Sequence, residues 1–83
     1  MIRVRFFARV REQLDCELLE LPWEPRYGTL DGLQAALEQR GEPWGDVLRQ
    51  PNLIRAVNQA VVSTNAILQA GDEVAFYPPV TGG

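Results

Sequence analysis

The residues in this chain best suited to chemistry are its last two. The sequence closes on "GDEVAFYPPVTGG", with Gly82 and Gly83 at the tip. A terminal glycine carboxylate carries no side-chain bulk, so another protein can activate it and take it into a narrow site. Little else in the chain competes for that role. There is no histidine, which excludes a His-based triad, a His metal site and the usual neutral-pH acid–base group. The single cysteine, Cys16, cannot supply a zinc cluster and has no base in reach to activate it. No Gly-rich phosphate loop of the Walker or dinucleotide type occurs. Any chemistry this chain takes part in must therefore use an unusual group, and no metal or bound cofactor is expected.

Composition narrows the setting. At 83 residues the chain is long enough for one modest core. No apolar run approaches the ~20 residues of a membrane span, and the N-terminus alternates instead of forming a signal peptide's apolar stretch. The expectation is a cytoplasmic protein with no membrane partner. Net charge is −3, a poor balance for nucleic-acid binding. Arg3, Arg5, Arg9 and Arg11 nevertheless crowd the start, a local basic face better suited to an acidic protein partner. There is no lysine at all. A coding bias toward arginine is the simplest account, although it also means that the chain cannot form lysine-linked polymers.

Several elements must position the tail. "IRVRFFARV" alternates over positions 2–10, with Ile2, Val4, Phe6 and Ala8 on one face, and predicts a half-buried strand. "CELLEL" predicts a second strand from Cys16 to Leu21, with Arg11 to Asp15 as the turn between them. Thr29 is placed to cap a helix running to about Arg40, with Leu30, Leu33 and Leu37 on one stripe and Gly41 past its end. "PWGDVLRQP" predicts one short helical turn. Strands return at Leu53–Val57, at "AVV" after a turn at "NQ", and at "EVAFYP". An early hairpin, one main helix and a late return of strands predict an α+β fold of the β-grasp, ubiquitin-like kind. The mixed sheet would carry the helix on one face, with the first and last strands as neighbours. The domain is expected over 1–77 and an extended C-terminal tail over 78–83.

Strand parity turns Phe7 to the arginine side of the first strand. It turns Ala75 and Tyr77 away from the core side of the last. With these strands adjacent, Phe7 and Tyr77 form one exposed aromatic patch at the root of the tail, and aromatic and Arg residues are enriched in interfaces. Beyond it, Pro78-Pro79 favours an extended backbone with no donors. From Pro78 to Gly83 the chain reaches ~20 Å at about 3.3 Å per residue.

On "VRFFARVRE", "AVNQAVV" and "GDEVAFYPPVTGG", which with the helix span nearly the whole chain, the sequence resembles the small, sulfur-carrying subunits of molybdopterin synthases. The resemblance implies that an E1-like activating enzyme uses ATP to adenylate Gly83. It implies that a persulfide donor then converts the adenylate to a thiocarboxylate. The tail would enter the active site of the large subunit, in a heterotetramer of two small and two large subunits, and give sulfur to a pyranopterin precursor to form the dithiolene. It further implies that Phe7, Arg11, Val61, Tyr77, Pro78, Pro79 and Val80 meet the large subunit. Two rivals share the fold and the Gly-Gly end: a sulfur carrier for the thiazole of thiamine, and a ubiquitin-like modifier joined through Gly83 to lysines of targets.

Overall fold

The computed structural model describes residues 1–79. Strand β1 (Ile2–Phe6) follows the alternation, placing Ile2, Val4 and Phe6 wholly out of solvent. It stops at Phe6, well short of Val10. Ala8 adopts a left-handed φ of 52° that breaks the period of two. A helix, α1 (Ala8–Leu14), then stands where the sequence predicts more strand and a turn over Arg11 to Asp15. Its warrant is the i, i+4 pair Val10 and Leu14, both buried. Ala8, expected to face the core, is exposed. Asp15 closes α1 in the left-handed region, its N–H bonded to the carbonyls of Arg11 and Glu12.

Strand β2 (Leu18–Leu21) is shorter than predicted and leaves Cys16 outside it. A single 3-10 turn (Pro25–Tyr27) leads to Thr29, whose Oγ1 accepts the Gly32 N–H at 3.0 Å and caps α2 (Leu30–Glu38). Leu30, Leu33 and Leu37 form the buried stripe. Gly32 is a helix-interior glycine with a packing reason. A Cβ there would lie 2.8 Å from the Arg26 carbonyl oxygen, so the bare backbone lets the 3-10 turn lie against the helix. A third helix, α3 (Trp44–Leu48), follows. Its Trp44 meets Phe6 edge-on at 5.5 Å and lies under the Arg40 guanidinium at 4.6 Å. The one main helix expected is thus joined by the short one predicted at "PWGDVLRQP", which is α3, and by α1, which stands where strand and turn were expected.

Strands β3 (Ile54–Val57) and β4 (Ala60–Val62) form a hairpin across Asn58-Gln59, both at positive φ, 49° and 71°. The Asn58 side chain ties this turn to the start of β5 (Glu73–Tyr77). It donates to Asp72 and accepts the Glu73 N–H, each at 3.0 Å. Among the described residues the strands make one mixed sheet, ordered β2-β1-β5-β3-β4, with β1 and β5 parallel and the other pairs antiparallel. The core joins Val4, Phe6, Val74 and Phe76 of the sheet to Val10, Leu33, Leu37 and Leu48 of the helices, which lie on one face. This is the α+β, ubiquitin-like β-grasp with first and last strands adjacent.

Candidate functional site

The tail leaves from the middle of the sheet. Its root, Tyr77, ends β5, which is hydrogen-bonded on both sides by β1 and β3. Pairing Ile54 with Tyr77, and Ala56 with both Ala75 and Val61, gathers these residues on the face opposite the helices. Arg5 stands beside Ala75 on the same face. Ala56 and Ala75 are only 2% and 7% exposed, although no helix covers them. They form a floor shaded by larger neighbours, while Val61 at the rim is 72% exposed.

The predicted aromatic patch is present as a stack. The Phe7 and Tyr77 rings lie 4.6 Å apart and 7° from parallel. Neither is fully exposed; each is half-buried by the other. Such a pair holds two aromatic faces rigid before any partner arrives, so little side-chain entropy remains to be lost on docking. Arg5 donates through Nε to Glu73 at 3.2 Å beside this stack. In a partly exposed setting that pair contributes little, about 0–1 kcal/mol.

Two depressions meet at Tyr77 and Gln59. One, about 580 Å³, is apolar, with Ile54, Ala56 and Val61 on one side and Pro78 and Pro79 on the other. Its neighbour, about 560 Å³, is charged and holds Arg5, Glu73 and Phe7. Phe7, Val61, Tyr77, Pro78 and Pro79 therefore come together around the root of the tail. Arg11 does not join them. It lies on α1, and the basic residue that reaches the prolines is Arg9, with Ala8 and Glu12. Val80, Gly82 and Gly83 lie outside the described residues.

Sequence reasoning missed Ile54 and Ala56. Their signal was the phase of "LIRAV": Arg55 sits between them and turns the other way. It donates to Asp31 at 2.7 Å, to Gln34 at 2.9 Å and to the Thr64 carbonyl, beside α2. Among the described residues, no group of three His, Cys, Asp or Glu side chains is placed to hold a metal ion, and no helix is long and apolar enough to cross a membrane.

The arrangement can bind a protein face and direct an extended peptide away from it. The profile of the ThiS family matches residues 4–83. The molybdopterin synthase sulfur carrier subunit of Escherichia coli is 41% identical over 83 residues, and that of Haemophilus influenzae 36% over 83, each covering 100% of both chains. A solved complex of subunits 1 and 2 of molybdopterin-converting factor from Helicobacter pylori contains a chain of similar fold. It has a TM-score of 0.67 and 28% identity, over 99% of this chain and 97% of that one. The chain belongs to the ThiS family, and its full-length relatives are molybdopterin synthase sulfur carrier subunits.

Proposed function

We propose that this chain is the sulfur carrier subunit of a molybdopterin synthase. The observation that carries the reading is the uncovered apolar face at the root of the tail, where Ile54, Val61 and the Phe7–Tyr77 stack surround the point at which Pro78 and Pro79 leave the sheet. Two full-length relatives named for molybdopterin synthase weigh against the thiazole carrier.

A terminal carboxylate is ionised at neutral pH and a poor electrophile. An E1-like enzyme transfers AMP to it from ATP. The outer sulfur of a donor persulfide then displaces AMP to give an acyl disulfide, and a second thiol cleaves the S–S bond, forming a disulfide with the donor and leaving a thiocarboxylate. The large subunit docks on the open face and receives the tail in its own active site, where the sulfur passes to a pyranopterin precursor. Two sulfurs complete one dithiolene, which a heterotetramer with two carriers supplies. The chain contributes a rigid platform, a donor-free proline exit and a tip without side chains.

The intact mass of the protein, after incubation with the activating enzyme, ATP and a persulfide donor, tests this. The expected change is one oxygen exchanged for one sulfur at Gly83. A chain extended by one residue past Gly83 should show no exchange; uptake by that variant rejects the reading.

A further inference from the structure

The open face carries one charge inside an otherwise apolar row. The strand register sets Leu18, Arg5, Ala75, Ala56 and Val61 side by side, one from each strand. Leu18 and Val61 are exposed at the two ends of this row. The two alanines keep its middle low, so Arg5 borders a depression of about 560 Å³ with Phe7 and Tyr77 on its wall. Among the described residues the Arg5 side chain makes one hydrogen bond, from Nε to Glu73 at 3.2 Å. That bond uses the side edge of the guanidinium and leaves the Nη1 and Nη2 donors unbonded. The Gln59 amide and the Tyr77 hydroxyl line the same depression, and neither has a hydrogen-bond partner among the described residues. The ion pair contributes little to the fold. Its effect is to hold a guanidinium fork in place beside an aromatic wall.

A wholly apolar surface laid on this row would take the guanidinium out of water with most of its donors unsatisfied, which opposes docking. A carboxylate removes that penalty, because its two oxygens meet the Nη pair in parallel charge-assisted bonds. Its methylene stem suits a floor of alanine and a wall of aromatic ring. We propose that the large subunit projects an aspartate or glutamate side chain into this depression and onto the Arg5 fork. Arg5 then selects among surfaces that the apolar face alone would accept equally, because a partner lacking the acid leaves a buried charge unpaired. The docking surface of the partner is thus apolar opposite Ile54 and Val61 and acidic opposite Arg5. Arg3 carries the same charge on the same face, but it pairs with Glu73 in the register and does not line the depression. This occupant presupposes the docking of the large subunit proposed above.

Titration calorimetry of the full chain against the large subunit, at low and at high salt, tests this. Arg5→Gln should weaken association about 10- to 100-fold at low salt and flatten its salt dependence. Arg5→Lys keeps the charge without the fork and should weaken it about tenfold. Arg3→Gln, an equal change of charge on the same face, should stay within about twofold of wild type. Acidic residues of the large subunit are then replaced one at a time by their amides. One of them should reproduce the Arg5→Gln loss, and combining the two substitutions should cost no more than either alone. Unchanged affinity of Arg5→Gln, or an equal loss in Arg3→Gln, overturns the proposal. So does an Arg5→Gln loss that adds fully to that of every partner acid, as a backbone carbonyl in the depression would give. Wild type that does not associate with the large subunit overturns the proposed function and this occupant with it.

Discussion

Strands β1 and β3 flank β5 and place their arginines on opposite sides of the sheet. In β1 the apolar residues Ile2, Val4 and Phe6 go under the helices, and Arg3 and Arg5 take the open face. In β3 it is Arg55 that goes toward α2, and Ile54 and Ala56 take the open face. The β1 arrangement is what burial in a single core requires. The β3 arrangement leaves apolar surface facing solvent and places a guanidinium, only 16% exposed, beside a helix. Hydrophobic burial within the chain does not explain that choice; burial against the large subunit, as proposed above, would. One sheet thus has a face closed by its own helices and a face on which apolar residues of β3 stay uncovered beside β5.

The adjacent phenylalanines give the largest contrast. Phe6→Ala should lower stability by about 3–5 kcal/mol, because it opens the core between Trp44 and Phe76. Phe7→Ala should lose only about 1 kcal/mol, chiefly the stack on Tyr77. Chemical denaturation of both variants measures this, and equal losses would break the division into two sides. Val61→Asp comes next. It should leave stability within about 1 kcal/mol of wild type yet weaken association with the large subunit about 100-fold, or about 2.7 kcal/mol, by titration calorimetry. Arg55→Met should do the reverse, lowering stability by about 2 kcal/mol while affinity holds. The smallest effect belongs to the β3–β4 turn. Gln59→Gly removes a side chain from a residue at φ 71° and should raise the thermal midpoint, at a gain of about 0.5–1 kcal/mol.

Much of the platform was legible in the sequence, for physical reasons that differ from residue to residue. Thr29 could be read because a helix cap is a bond over three residues, set by local chain geometry. Phe7 and Tyr77 could be read because parity along a strand and adjacency of the end strands suffice to place them together. Helix α1 could not. Its residues continue the Arg-and-apolar alternation of β1, and only the left-handed turn at Ala8 shifts the phase from two to 3.6. Ile54 and Ala56 were hidden for another reason. "LIRAV" has no intrinsic inside, and its orientation is fixed by what Arg55 finds on α2, a contact 24 residues distant. Arg11 was placed at the interface by resemblance alone, and the helix directs Arg9, not Arg11, to the prolines.

The central position of β5 has a consequence for synthesis on the ribosome. Without it, β1–β2 and β3–β4 are two hairpins with nothing between them, and isolated hairpins are marginal in water. The strand that joins them follows both in the sequence. A nascent chain that stops before β5 therefore has neither a joined sheet nor the open apolar face beside Tyr77. The residues that complete the fold are therefore the ones from which the tail leaves.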